Sequence, residues 1–246
     1  MNEILLWILA FTFLNGFIAL VGAFTLLLKP KTLQKIIYIL VSISTGTLLG
    51  GGLLHLLPEA IKGLGVETAI NYLLFGFIIF FLMEKLLYWH HCHDGVCKVH
   101  TFSQMIIFGD GLHNFIDGLI IAASFFVNIP FGIITTLIII AHELPQELGD
   151  FGVLIHGGFS KKKAIFYNFL SQLTAVIGGL VGFFFVQSSG LEIILLPFAA
   201  GGFLYIAASD LIPELHKEKE GKKTIISFAF FIIGIIIMFL FKHIGG

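Results

Sequence analysis

The chain has 246 residues, of which 57% are hydrophobic and 12% charged; its mean hydropathy is +1.01 and its formal net charge −1. Charged residues are at about half the frequency of soluble domains, which excludes an ordinary soluble globular protein. All 14 cationic residues are lysines and none forms a basic patch, so nucleic acid is not an expected partner, and two cysteines make no disulfide framework.

A membrane-crossing helix needs about twenty mostly apolar residues. Eight runs meet that length, at 4–28, 36–57, 68–89, 102–127, 131–156, 164–186, 191–211 and 224–241. None shows the alternating ten-residue pattern of an outer-membrane barrel. The reading is an all-α integral membrane protein of eight transmembrane helices, forming one domain over 1–246. The opening Met1-Asn2-Glu3 lacks the cationic region of a signal peptide, so the first run is expected to be a retained helix.

The lysines give an orientation. Twelve of the fourteen fall on one face if the runs alternate: Lys29, Lys31 and Lys35; Lys85 and Lys98; Lys161, Lys162 and Lys163; Lys217, Lys219, Lys222 and Lys223. Lys62 and Lys242 fall on the other. Positive loops stay inside, so the lysine-rich face is cytoplasmic, both termini lie outside, and the location is a cell (inner) membrane.

The second run ends His55-Leu56-Leu57-Pro58-Glu59 and the seventh ends Asp210-Leu211-Ile212-Pro213-Glu214, each after a glycine pair (Gly51-Gly52 and Gly201-Gly202). Under the alternating topology these motifs sit at opposite faces. That placement is what an inverted repeat produces, here helices 1–3 against 6–8 around helices 4 and 5. Gly46 and Gly50, and Gly178 and Gly182, have the G-x-x-x-G spacing that lets helices approach closely.

The chemistry concentrates in two runs. The fourth carries His113-Asn114-Phe115-Ile116-Asp117-Gly118, and the fifth His142-Glu143-Leu144-Pro145-Gln146-Glu147-Leu148-Gly149-Asp150. Residues four apart share a helix face, which stacks His113 over Asp117, His142 over Gln146 and Glu143 over Glu147. Ionisable groups inside a membrane are costly and mark function. No lysine lies between Lys98 and Lys161, so a divalent cation is the natural partner of these carboxylates. Imidazole nitrogen with carboxylate oxygen suits zinc and similar borderline metals. Pro145 should also free the carbonyl of Ala141 to face a cavity or an ion. His55 and Glu59 at one end, and Glu147, Asp150, His156, Asp210, Glu214 and His216 toward the other, are candidate steps of an ion pathway. The 90–100 loop (His90, His91, Cys92, His93, Cys97 and His100) is dense in soft ligands and is expected to be a cytoplasmic metal-binding loop.

These stretches resemble the ZIP (zinc- and iron-regulated transporter-like) family, in a LIV-1-like branch of prokaryotic type, which carries H-N-F-x-D-G followed by H-E-x-P-H-E-x-G-D. The likeness extends to Leu-His-Leu-Leu-Pro-Glu at 54–59, Asn-Phe-Leu-Ser at 168–171, and Leu-Tyr-Ile-Ala with Pro-Glu within 204–214. The resemblance implies a transporter that moves a divalent metal into the cytoplasm. Zinc is the first expectation, with iron or manganese open, and no organic cofactor is needed. It further implies a main site of His113, Asp117, His142 and Gln146, and an adjacent one of Asn114, Asp117, Glu143 and Gln146. This chain departs in having Gln146 where relatives have His or Glu, and Ala175-Val176 where some have Glu-Pro; both changes remove negative charge. The expected partners are the metal ion and the lipid bilayer, with a homodimer left open. The rival reading is an intramembrane metal-dependent hydrolase: His142-Glu143 resembles the start of H-E-x-x-H, although Gln146 stands at the second histidine.

Overall fold

A computed structural model describes residues 2–21, 29–88, 99–156, 159–189, 192–217 and 221–245. The described residues are helical throughout, apart from short turns. We label the rods α1 (Asn2–Gly16), α2 (Pro30–Gly50, continuing to Leu64), α3 (Val66–Tyr88), α4 (Val99–Val127), α5 (Ile129–His156), α6 (Lys161–Gln172, resuming as Thr174–Ser189), α7 (Glu192–Ile206, continuing to His216) and α8 (Gly221–Gly245). Seven of them, α2 to α8, are long and apolar enough to cross a membrane. Among the described residues the count is therefore seven, against the eight expected. The α-helix of α1 stops at Gly16 and tightens into a 3₁₀ turn over Phe17–Leu20, leaving Glu3–Gly16 as a shorter apolar helix. The rest of that expected span, 22–28, lies outside the described residues. The chain is thus a multi-span α-helical membrane bundle.

Local chemistry sets the helix ends. Pro30 starts α2, where its missing N–H costs nothing. Gly65, at φ +78°, makes the turn into α3, a backbone angle that favours glycine. Asn128 alone separates α4 from α5; its side-chain oxygen accepts from the Phe131 N–H at 2.8 Å. Ser160 caps α6 through the Lys163 N–H.

Two rods change pitch at matching places. α2 widens to a π-helix over Gly51–Leu56, just before Pro58, and α7 does so over Ala207–Leu211, just before Pro213. Proline lacks the N–H of the regular ladder and its ring crowds the preceding turn, so the wider π turn is a way past it.

Glycines fix the closest crossings. A Cβ at Gly46 of α2 would strike the Phe231 carbonyl of α8, and one at Gly234 of α8 would strike the Ile43 carbonyl of α2. A Cβ at Gly76 of α3 would strike the Phe198 carbonyl of α7, and one at Gly201 of α7 the Leu73 carbonyl of α3. Gly118 of α4 and Gly178 of α6 make the same kind of reciprocal contact through the Ala175 and Phe115 carbonyls. Gly50 packs on Met238 and Gly182 on Ala122, so both G-x-x-x-G pairs lie in helix crossings. The core between the crossings holds Phe125, Ile138, Leu48, Phe203 and Met238, all buried. Phe75, Ile78 and Leu82 on α3, and Ile225, Phe228 and Leu240 on α8, are exposed apolar side chains suited to a lipid surroundings.

Candidate metal centre

The α4–α5 hairpin sets the height of the site. His113 lies fifteen residues before Asn128 and His142 fourteen after it, so antiparallel neighbours joined by so short a turn bring the two histidines level. Their Nε2 atoms are 3.2 Å apart. Asp117, one turn along α4 from His113, brings Oδ2 to 3.4 Å from His142 Nε2 and 3.8 Å from His113 Nε2. Glu143 brings Oε1 to 3.3 Å from His113 Nε2 and 3.5 Å from His142 Nε2. Four candidate ligand atoms converge within 4.8 Å of one another, and all four residues are buried.

The donor set fits a tetrahedral dication. Zinc bonds of about 2.0–2.2 Å to nitrogen and oxygen give tetrahedron edges of roughly 3.3–3.6 Å, and the observed separations bracket that range. Two of the corner atoms, Asp117 Oδ2 and Glu143 Oε1, are buried and make no hydrogen bond. Buried carboxylate oxygens without a partner are expensive, and a cation at the centre of the four atoms would satisfy both. His142 Nδ1 lies 3.3 Å from the Ile138 carbonyl. An N–H there leaves the Nε2 lone pair directed at the centre, the usual device for orienting a histidine ligand. Phe80 and Phe203 pack edge-on against His113 and His142 and exclude water on that side.

Gln146 and Asn114 do not share this corner arrangement. The Gln146 amide nitrogen donates to Asp110 Oδ1 at 3.2 Å, and Asn114 Nδ2 donates to the same oxygen at 2.9 Å. Glu143 stands at the corner that the resemblance gives to Gln146. Asn114 keeps an unbonded buried Oδ1. Asp110 is a residue that sequence reasoning missed. It forms a second buried acidic group with Glu143 and Glu147, and Ser171 Oγ donates to its Oδ2. The signal was available in its place three residues before His113, on the same face. Asn168 and Gln172 of α6 were also missed as partners: both donate to Glu147, and Gln172 donates to Glu143 as well. Nothing in the spacing of the chain announces these contacts between separate helices.

The carbonyl that Pro145 frees is occupied. Ser44 Oγ of α2 donates to Ala141 O, so this oxygen is satisfied by a neighbouring helix rather than open to a cavity or ion. His55 stacks on Phe131 with ring centroids 3.9 Å apart and places Nε2 3.1 Å from Thr135 Oγ1. Glu59 pairs with Lys62, and Glu214 with Lys217, both at helix ends. Glu147 is buried, Asp150 half-buried, and Asp210 and His216 exposed. The side chains of His156 and His100 lie outside the described residues, as do residues His90, His91, Cys92, His93 and Cys97 altogether.

A multi-span helical bundle that gathers two histidines and two carboxylates, each carboxylate with one buried oxygen that makes no hydrogen bond, is the framework of a membrane protein that handles divalent metal. A family model described as "ZIP Zinc transporter" matches residues 90–242, and the chain belongs to that family. Among curated proteins it is 43% identical over 128 residues to "Zinc transporter foi" of Drosophila melanogaster, covering 52% of this chain and 18% of that protein. It is 40% identical over 150 residues to "Zinc transporter ZIP10" of Homo sapiens, covering 55% and 18%. To "Zinc transporter YKE4" of Saccharomyces cerevisiae it is 31% identical over 241 residues, covering 82% and 70%. The chain thus spans under a fifth of the length of the fly and human relatives.

Proposed function

We propose that this protein is a transporter that moves a divalent metal ion, zinc first, into the cytoplasm through the α4–α5 centre. The observation that carries the reading is the pair of orphaned carboxylate oxygens, Asp117 Oδ2 and Glu143 Oε1, aimed with two imidazole nitrogens at one buried point. The names of the relatives agree with it. His113, Asp117, His142 and Glu143 are the proposed ligands; Asn114 and Gln146 line the side facing Asp110. The ion enters from outside, sheds water, and binds between the two helices; the two halves of the bundle then shift to expose it to the cytoplasm. Glu59 at the outer end, and Asp210, Glu214 and His216 at the inner end, collect and release it, with His55, Glu147, Asp150 and His156 along the way. The lysine asymmetry supports cytoplasmic loops after α3, α5 and α7 and termini outside, with the 90–100 loop receiving metal. The paired H-N-F-x-D-G and H-E-x-P sequences support a LIV-1-like branch.

An inverted repeat of α1–α3 and α6–α8 fits this mechanism. One offset of 155 residues carries Pro58 to Pro213, Gly46 to Gly201 and Ile43 to Phe198. An offset of 158 carries Gly76 to Gly234 and Leu73 to Phe231. Under that exchange the α2–α8 crossing becomes the α7–α3 crossing, residue for residue. The π segments before Pro58 and Pro213 correspond as well.

Hydrolysis is the weaker reading on geometric grounds. Glu143, the base such an enzyme would need, is itself a corner of the tetrahedron, and the Gln146 amide is turned to Asp110. The test is flux: purified protein in liposomes should take up zinc in competition with a panel of metals. The His113→Ala, Asp117→Ala double variant should fold and take up none; uptake equal to the parent's would overturn the assignment.

A further inference from the structure

Glu143 faces two ways. Its Oε1 is a corner of the tetrahedron, while its Oε2 accepts a hydrogen bond from Gln172 Nε2 of α6. Gln172 is fully buried. Its second N–H donates to Glu147 Oε1 at 2.7 Å, and its carbonyl oxygen accepts from Asn15 Nδ2 of α1 at 3.4 Å. The amide nitrogen is turned to the two glutamates and its oxygen to Asn15. All of the amide's N–H groups and its oxygen are engaged. Glu147 is held in turn by Asn168, whose amide donates to its Oε2. Gln172 therefore cannot turn away from Glu143 without leaving Glu147 and Asn15 unmatched.

We propose that Gln172 is a positioning residue that holds Glu143 to a single coordinating oxygen, and thereby favours a four-coordinate dication such as zinc over manganese. The inference rests on the transport reading of the α4–α5 centre and adds a basis for its selectivity. A free glutamate can offer both oxygens to one ion. Zinc in a closed protein site is satisfied by four ligands, whereas manganese favours a six-coordinate, oxygen-rich shell. With Oε2 fixed toward α6, the centre presents two nitrogens and two oxygens in a compact tetrahedron. Releasing Oε2 would allow bidentate binding, add a ligand and enlarge the shell. That change costs zinc its preferred number and gives manganese more of what it needs. The anchor lies outside α4 and α5, at the point where α6 breaks between Gln172 and Thr174, and it reaches back to α1.

The test uses the full chain in liposomes and compares zinc with manganese uptake for the parent, Gln172→Met and Asn168→Ala. Gln172→Met keeps the volume and removes the donors; by the usual weight of a partner behind a metal ligand, zinc KM should rise about tenfold and the manganese-to-zinc ratio of kcat/KM by a similar factor. Asn168→Ala disturbs the same network without touching Glu143, so it should lower the melting temperature and leave the ratio at the parent value. A parent-like ratio in Gln172→Met, or an equal rise in Asn168→Ala, overturns the proposal. X-ray absorption of the zinc-loaded parent gives a check that needs no variant to fold: four nitrogen and oxygen neighbours support the proposal, and five or more overturn it. Absence of zinc flux in the parent would instead overturn the transport reading itself.

Discussion

Asp110 and Asp117 lie two turns apart on α4 and have opposite surroundings. Asp110 receives hydrogen bonds from Asn114, Gln146 and Ser171. Asp117 keeps a buried, unbonded Oδ2. A satisfied carboxylate supports the fold, whereas an orphaned one is a cost that ion binding removes. Asp110→Ala should therefore destabilise the metal-free protein by about 1–3 kcal/mol for each donor left unmatched and buried, read as a lower melting temperature in detergent with chelator present. Asp117→Asn should leave that temperature unchanged or higher, and should lose the rise that zinc gives the parent. Destabilisation of metal-free Asp117→Asn would mean that Oδ2 has a protein partner. Helical spacing made the pair His113 and Asp117 legible, but it set His142 with Gln146 and Glu143 with Glu147, so the place of Glu143 beside His142 in the cluster was not legible from it. Spacing also could not rank the two aspartates, since what separates them is Gln146 and Ser171 arriving from other helices.

At the scale of elements, the run boundaries were legible to within a few residues for most spans, because apolar length and the lysines and glycines at the ends act locally. The π segments were not: proline at 58 and 213 signals a disturbance, but whether the helix kinks, breaks or widens depends on packing. The glycine crossings were legible only as spacing. Their partners show which glycines the bundle needs. Gly76 and Gly201 lie against backbone carbonyls of the facing helix, which cannot move aside as a side chain can. Gly76→Ala and Gly201→Ala should each cost about 1–3 kcal/mol, as overpacking does, and should broaden the size-exclusion profile in detergent. Gly152 in α5 has open space where a Cβ would go, so Gly152→Ala should be neutral or stabilising by up to about 1 kcal/mol from helix propensity. Equal losses at all three sites would mean that close approach to a facing carbonyl does not decide these positions.

For the whole molecule, hydropathy gave eight runs while the described residues contain seven full-length spans. The discrepancy is confined to the first run, where the α-helix from Asn2 is interrupted after Gly16 by a 3₁₀ turn over Phe17–Leu20. Composition reports where a chain avoids water; it does not report where the backbone changes pitch. The charges of the bundle carry a consequence for transport. No lysine lies between 98 and 161, and the basic groups beside Asp117 and Glu143 are the imidazoles of His113 and His142. In the proposed transport, a zinc ion held by these two carboxylates and two neutral histidines would make a centre of no net charge, so each complete inward cycle would transfer the two charges of the ion. An inside-negative potential then favours uptake by about 4.6 kcal/mol per 100 mV, or roughly three decades in the accumulation ratio at equilibrium. In liposomes with a potassium diffusion potential, zinc uptake should rise steeply as the interior is made negative and fall when the potential is collapsed with valinomycin in symmetric potassium. Uptake independent of potential would show that the charge is compensated by counter-transport, and would overturn movement of the uncompensated dication.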